Sequence, residues 1–256
     1  MSPRTVLEAR PASVALLADA VGRLPDTGRL AADLAATVAD APPGQRDDLL
    51  LAAVRAVLPR TRSWLVEHGA TREQAEASTA DVARKSGRYG FGGTGADWFC
   101  AVATARVVAV GRLQFELGAR LPDGSRTWAV HVPETGPLDP TACDRSFADA
   151  PALLRRLAPD HAADVWSCRS WTLDPGLARV LGPESNLVRF AARFALLPAG
   201  PHDASEGDAG AAKFVFGTDL DSARRATATS RLQQAVLDRW GAGGHWTERT
   251  GVATVA

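Results

Sequence analysis

The residues most suggestive of chemistry lie in a short turn, "HVPETGPLDP", residues 131–140. The turn follows a strand-like run, and Asp139 and Pro140 suit the N-cap and the first position of a helix. The N–H groups at such a helix start attract a phosphate or pyrophosphate, which we place near Thr135 and Gly136, away from the Asp139 carboxylate. A strand-to-helix turn that binds nothing is the alternative.

Candidate acid–base and nucleophilic side chains occur in this turn and further along the chain. His131, at the end of the strand, is either a base near neutral pH or a structural residue, and Glu134 is either a base or a solvated side chain. In the strand-like run "DVWSCRSWTL", alternation places Cys168 and Ser170 on one face. Cys168 is either a nucleophile or, as is usual for an unpaired cysteine, a small buried apolar residue. His245 has either a packing role or a role in a site.

The composition excludes several classes of function. Lys+Arg and Asp+Glu are both 29, so the net charge is zero and the basic surplus of a nucleic-acid-binding protein is missing. No apolar run is long enough to span a bilayer, and the first ten residues lack the apolar region of a secretory signal. The three cysteines form no CxxC pair, so we predict free thiols in a reducing cytoplasm and no metal site.

The pattern of the chain changes near residue 87. Before it, alanine-rich segments carry apolar residues at helical spacing, and Thr71 and Gln74 match a capping box, which predicts a helical bundle. Five glycines among residues 87–95 predict a linker rather than a phosphate loop, because no Gly-Lys-Ser/Thr follows. Strand-like and helical runs then alternate, which predicts a mixed α/β sheet. We therefore predict two domains, residues 1–86 and 87–256.

The sequence supports specific predictions for three segments after residue 87. The runs "VRFAARFALL" and "KFVFG" have strand-like composition. The polar, glycine-containing segment "AGPHDASEGDAGAA", residues 199–212, predicts a surface loop.

Five stretches follow one another in the order "VGRLQFEL", "HVPETGPLDPTACDRSFADA", "CRSW", "ESNLVRFAARF" and "RLQQAVLDRWGAGGHWTERTG". Together they resemble bacterial acyltransferase-domain proteins with a helical N-acyltransferase domain followed by a GNAT-like domain. The resemblance extends from about Trp64 to Val252, and the first sixty residues share only their helical character.

The resemblance implies a GNAT-type fold and an acyl-CoA donor, most often acetyl-CoA, for a small-molecule acceptor. In such folds the pantetheine arm lies between two splayed parallel strands, and the pyrophosphate lies on the loop after the fourth strand. That loop maps onto the opening turn, so the predicted coenzyme-binding residues are Val132, Pro133, Thr135, Gly136 and Leu138.

The resemblance also implies direct acyl transfer to an amine or hydroxyl group. His131 or Glu134 then removes the acceptor proton, and the backbone N–H groups of the splayed strand polarise the thioester carbonyl. Many relatives protonate the leaving thiolate with a tyrosine, whereas the only tyrosine here is Tyr89. Ser170, Cys168 or a water molecule takes that role instead. A non-catalytic acyl-CoA-binding or regulatory protein, an acyl-thioester decarboxylase and a protein-interaction module are the alternatives.

Overall fold

The computed structural model describes residues 8–255 of the chain. The α-helices are α1 (Pro11–Ala20), α2 (Thr27–Ala36), α3 (Pro43–Glu67), α4 (Arg72–Thr94), α5 (Ala96–Ala103), α6 (Pro140–Leu157), α7 (Gly176–Leu181), α8 (Asn186–Ala191), α9 (Asp203–Ala211), α10 (Leu220–Arg224) and α11 (Arg231–Gly241). The strands are β1 (Val107–Val110), β2 (Leu113–Arg120), β3 (Arg126–His131), β4 (Val165–Ser170), β5 (Ala195–Leu196) and β6 (Arg249–Thr254). The predicted helical N-terminal part followed by a mixed sheet is confirmed.

The chain divides into two compact units. The first unit comprises the described residues up to Gly118 together with Asp149–Ala162. The second comprises Ala119–Ala148 and the described residues from Ala163 onward. Residue 87, where we place the domain boundary from the sequence, lies within α4.

Helices α1–α5 and strand β1 share one apolar core in the first unit. The strand pairs with β2 from Val107 opposite Glu116 to Val110 opposite Leu113, and all four of its residues are buried. The start of α4 carries the predicted capping box: Gln74 N donates to Thr71 Oγ1 at 3.1 Å, and Thr71 N donates to Gln74 Oε1 at 2.9 Å. Local chemistry therefore fixes where this helix begins.

Helix α4 continues through the glycine-rich stretch that the sequence analysis interprets as a linker. Its backbone departs from helical geometry at Gly90 (φ 70°, ψ −178°) and then resumes to Thr94. Phe91 is buried and stacks on Phe99 of α5, with ring centroids 4.9 Å apart. The prediction of a linker is wrong because this apolar contact offsets the conformational entropy that glycine loses in a helix.

The strands of the second unit lie in the order β3-β4-β6-β5. Within the second unit, β3 and β4 are parallel, and β6 is antiparallel to both β4 and β5. Parallel neighbours need a crossover connection, and the chain between β3 and β4 contains α6. The predicted order of strand, turn and helix over residues 126–140 is confirmed.

Residues 198–248, between β5 and β6, form a helical segment that we call the β5–β6 insertion. Here the predicted loop at residues 199–212 and the predicted strand "KFVFG" are wrong, because the chain forms α9 and a π-helical turn, Ala212–Phe216. A Cβ atom on Gly207 would lie 2.4 Å from the backbone carbon of Thr247. The glycine therefore allows close packing of a helix.

An apolar cluster stabilises the β5–β6 insertion. It contains Trp171, which follows β4, together with Ala211, Val236 and Trp246. The prediction of a strand for "VRFAARFALL" is wrong over most of the run, because its first four residues end α8 and only Ala195–Leu196 pairs with β6. In residues 8–255, no helix combines the length and the hydropathy that a membrane span requires.

Candidate active site

Strands β3 and β4 separate at their carboxyl ends. Their parallel ladder comprises two pairs, of which the second joins Ala129 to Ser167. Both strands continue beyond this pair, to His131 and Ser170, and β4 keeps its partner β6 over its whole length. In the described part of the chain, the last residues of β3 and β4 are therefore not paired with each other, which leaves a gap between the two strands.

The turn after β3 lies beside this gap and exposes its backbone. Gly136 has a φ of 106°, and no atom lies within 4 Å of the position that a Cβ would take. Glycine suits this left-handed conformation, and the open space leaves room for close approach by a ligand. The Thr135 N–H donates to Pro133 O at 2.8 Å, so this amide, which we place near a phosphate, already has a partner in the turn. Leu138 is buried.

Helix α6 begins as predicted. It starts at Pro140, and Asp139 Oδ1 accepts a hydrogen bond from Ala142 N at 2.7 Å. Arg193 stabilises the first turn of α6, because its Nη2 donates to Pro140 O at 3.1 Å and lies 2.6 Å from Asp144 Oδ1. No sequence pattern indicates this arginine, which lies about fifty residues further along the chain.

The two faces of the splayed strands differ in their surroundings. Phe147 of α6 contacts the ring of Trp166 edge-on, with centroids 5.5 Å apart, so α6 covers the face of β4 that carries Trp166. Alternation places Cys168 and Ser170 on this covered face. His131 shares the opposite face with Ala129, two residues earlier. The structure therefore assigns His131 and Ser170 to opposite faces of the sheet.

Ser170 is a hydrogen-bond acceptor at the end of β4. Its Oγ accepts from Thr172 N at 3.1 Å and from Thr172 Oγ1 at 2.9 Å. Because both contacts use lone pairs, the Ser170 O–H remains available for donation. Chains of hydrogen bonds polarise one another, which makes this hydroxyl a stronger donor than an isolated serine.

Cys168 is fully enclosed. Its side chain is 2% exposed, and burial, with a smaller contribution from the charge of Glu248, raises the pKa of its thiol to about 12. The thiolate is the nucleophilic form of cysteine, and it is scarce at neutral pH when the pKa is this high. The location of Cys168 fits the buried apolar role better than the nucleophilic one.

A charged network occupies the other face of β4. The Arg169 guanidinium contacts Glu206 and lies 3.6 Å from Glu248 Oε1 and 3.8 Å from Asp203 Oδ1. Burial raises the pKa of Glu248, an effect that the positive charge of Arg169 opposes. The neighbouring carboxylates raise the pKa further. Glu134, by contrast, is exposed on the turn, and His131 is half-buried.

His245 lies in the β5–β6 insertion. Its Nδ1 is 2.7 Å from the Oδ2 of Asp208, a buried carboxylate that also accepts from Trp240 Nε1 at 2.7 Å and from Trp246 N at 2.8 Å. Asp208 therefore organises the interior of the insertion. The sequence analysis misses this residue, since nothing in "EGDAG" distinguishes a buried aspartate from an exposed one. Among the described residues, no group of three or more His, Cys, Asp or Glu side chains is arranged to hold a metal ion.

Comparison with known families identifies the chain. Residues 107–253 match the family model described as the GNAT-like C-terminal domain. The match covers more than half of the chain, so the protein belongs to this family. The resemblance inferred from the sequence is confirmed. Comparison with curated protein sequences gives no match.

Three solved structures show what similar chains bind. An acyltransferase in complex with decanoyl-CoA and teicoplanin is 27% identical, with a TM-score of 0.72, over 97% of this chain and 85% of that one. An acyltransferase in complex with CoA and 10C-teicoplanin is 29% identical (TM-score 0.70; 84% and 68% covered). An acyltransferase in complex with decanoyl-CoA is 30% identical (TM-score 0.67; 82% and 66% covered).

Proposed function

We propose that this protein is an acyl-CoA-dependent acyltransferase that transfers an acyl group directly to an amine of a small-molecule acceptor. The observation that carries the proposal is the separation of β3 from β4 beside an exposed turn and a helix start. Similar chains were solved with CoA or decanoyl-CoA, which supports an acyl-CoA donor. Their ligands favour a medium-length acyl chain over the acetyl group that we predict from the sequence.

The pantetheine arm of the donor would enter the gap between the strands. There it would lie along the backbone near Val132 and the end of β4, much as a further strand does. The pyrophosphate would lie against the turn at Pro133 and Gly136, at the start of α6. Since the Thr135 amide is already hydrogen-bonded, Thr135 would contact the pyrophosphate through its side chain. The buried Leu138 would stabilise the turn by packing.

The placement of His131 and Ser170 on opposite faces suits direct transfer. The acceptor nitrogen attacks the thioester carbon, and His131, or Glu134 through a water molecule, removes the proton from that nitrogen. As the C–S bond breaks, the thiolate takes the proton of the Ser170 hydroxyl. The Thr172 hydroxyl, 2.9 Å from Ser170 Oγ, donates a hydrogen bond to the serine oxygen as its negative charge develops. Ser170 then takes a proton from solvent water and His131 or Glu134 releases one to solvent, so the amine and the thioester become an amide and CoA–SH.

The charged network supports an amine as the acceptor. Asp203, Glu206 and Glu248 carry three formal negative charges against two positive charges on Arg169 and Arg249, which contacts Asp203 at 3.5 Å. Arg169, which contacts all three carboxylates, lies on the same face of the sheet as His131. This negative surplus would attract an ammonium group, which His131 then deprotonates. Two of the similar acyltransferases were solved with teicoplanin compounds, so an amine on a glycopeptide-sized molecule is the first acceptor to test.

Calorimetry and turnover together test the proposal. We expect the purified protein to bind decanoyl-CoA, octanoyl-CoA or acetyl-CoA and to release free CoA, detected with a thiol reagent, when amines are added. Ser170→Ala and His131→Ala should each lower kcat by about 10- to 1000-fold with little change in donor affinity. Ser205→Ala, an exposed serine of α9, is the matched control and should change neither. Failure to bind any CoA thioester would refute the proposal.

A non-catalytic acyl-CoA-binding protein is the second candidate. It is favoured by the lack of a tyrosine in the segment after β4, since the chain contains only Tyr89. Donor binding without CoA release across a broad panel of amines and alcohols would support this candidate over the enzyme.

A further inference from the structure

A second cleft lies between α7 and α11, within the second unit. Its volume is about 720 Å³, which is in the range of small-molecule sites. Three of its lining residues are arginines and one is a carboxylate, and the others are small, apolar or amide side chains. The lining residues are Gly176, Arg179, Val180, Arg231, Gln234, Ala235, Asp238 and Arg239.

One of the three arginines is already compensated. Arg239 Nη1 lies 3.0 Å from Oδ1 of Asp174, which is buried, and the guanidinium lies over the ring of Trp246 at 4.4 Å. A Cβ on Gly176 would lie 1.8 Å from Arg239 Nη1, so a glycine here is needed for this ion pair to form. Arg239 therefore belongs to the wall of the cleft.

The other two arginines have no carboxylate partner within the described chain. Arg231 Nη2 donates to a neutral acceptor, Val180 O, at 3.1 Å. Arg179 is exposed, and its guanidinium makes neither a hydrogen bond nor an ion pair with any residue from 8 to 255. The one carboxylate of the lining, Asp238, accepts from Gln234 Nε2 at 2.7 Å. The guanidinium groups of Arg179 and Arg231 thus line one cleft without an ion pair, and the Asp238 carboxylate offsets one of their two charges.

We propose that this cleft binds a phosphate monoester on a nucleotide-sized ligand, with Arg179 and Arg231 as the phosphate-binding residues. Guanidinium groups match phosphate oxygens in pairs and remain charged at all physiological pH values. The apolar surface of Val180 and Ala235 offers a place for a ring beside the phosphate. Such a phosphate has two sources, the 3′-phosphate of CoA or a separate nucleotide.

The position of α7 in the chain makes the CoA source reasonable. β4 ends at Ser170 and α7 begins at Gly176, so the cleft follows closely on the carboxyl end of β4. The proposal does not depend on acyl transfer, because binding of a phosphorylated nucleotide can be measured without any reaction.

Calorimetry with three probes tests the proposal: CoA, 3′-dephospho-CoA and adenosine 3′,5′-bisphosphate. For Arg179→Ala and for Arg179→Ala/Arg231→Ala, we expect at least tenfold and hundredfold weaker binding of the phosphate-bearing probe. Arg225→Ala removes an exposed arginine of the same unit that lies outside the cleft and should have no effect. The Arg179 side chain makes no hydrogen bond or ion pair with residues 8–255, so its single variant should fold, as circular dichroism can verify.

The probes distinguish the two sources. If the variants weaken binding of CoA but not of 3′-dephospho-CoA, the cleft holds the 3′-phosphate of the donor. If they weaken only the bisphosphate, a separate nucleotide occupies it. Unchanged affinity of both arginine variants for every probe, or no binding of CoA and the bisphosphate by the wild type, would overturn the proposal. Loss of acyl transfer alone would leave it standing.

Discussion

Removal of the Asp208 carboxylate should destabilise the β5–β6 insertion much more than removal of another single charge. Its Oδ1 accepts from Trp240 Nε1 at 2.7 Å and from Trp246 N at 2.8 Å, and both tryptophans are buried. Asp208→Ala leaves both donors without an acceptor. An unsatisfied buried N–H costs about 1–3 kcal/mol, so we expect a loss of about 2–6 kcal/mol in the free energy of unfolding.

Asp208→Asn provides the sharper comparison. An asparagine can keep a carbonyl oxygen at the Oδ1 position, where both tryptophan donors point. It loses the charge, and with it the contacts of Oδ2 with His245 Nδ1 at 2.7 Å and with Arg224 Nη2 at 3.6 Å. We expect a loss of about 1 kcal/mol, which separates loss of the acceptor from loss of the charge.

Urea denaturation at 25 °C, followed by far-UV circular dichroism, measures these differences. Asp221→Ala, an exposed aspartate of α10, is the control and should change stability by less than about 0.5 kcal/mol. If Asp208→Ala were as stable as this control, or if the Asn and Ala variants were equally damaged, the reasoning from the two buried donors would be refuted.

Three further changes have defined outcomes. Burial raises the pKa of Glu248, so its carboxyl favours folding at low pH. This contribution is lost as the pH rises through the pKa of the folded state. The stability of Glu248→Gln relative to wild type should therefore increase between pH 4 and 7.5 in melting experiments. Cys168, with a pKa of about 12, should react with iodoacetamide at pH 8 about a thousandfold more slowly than an ordinary thiol, and rapid labelling of the folded protein would contradict its burial. Gly207→Ala should destabilise by about 2 kcal/mol or more, because its Cβ would lie 2.4 Å from backbone, whereas Gly87→Ala, with nothing within 4 Å, should be neutral or stabilising in the same denaturation assay.

The sequence by itself determines features that depend on neighbouring residues. The capping box at Thr71 and the N-cap at Asp139 are confirmed because each needs only a side chain and a backbone N–H within three residues. Strand β3 and its turn are confirmed for the same reason, since alternation and proline act locally. The ordered stretches that resemble GNAT-like proteins were sufficient to identify the family.

Tertiary structure decides where local preferences conflict with packing. The glycines of α4 and α9 favour turns in isolation, yet Phe91 stacks on Phe99 and Gly207 lies against the chain before β6, so both segments are helical. Each of these contacts is made with a residue outside the helix that it stabilises, and its free energy exceeds the local preference of glycine.

The candidate site shows the same division. The sequence indicates His131, Ser170 and the turn between β3 and α6, because these are residue types at strand ends. Only the tertiary structure shows where β3 separates from β4 and that Arg193 holds the first turn of α6. Strand separation depends on pairing between segments almost forty residues apart, and the burial that raises the pKa of Cys168 depends on everything packed around it. Such properties belong to the folded chain as a whole, because they arise from side chains that meet only after folding.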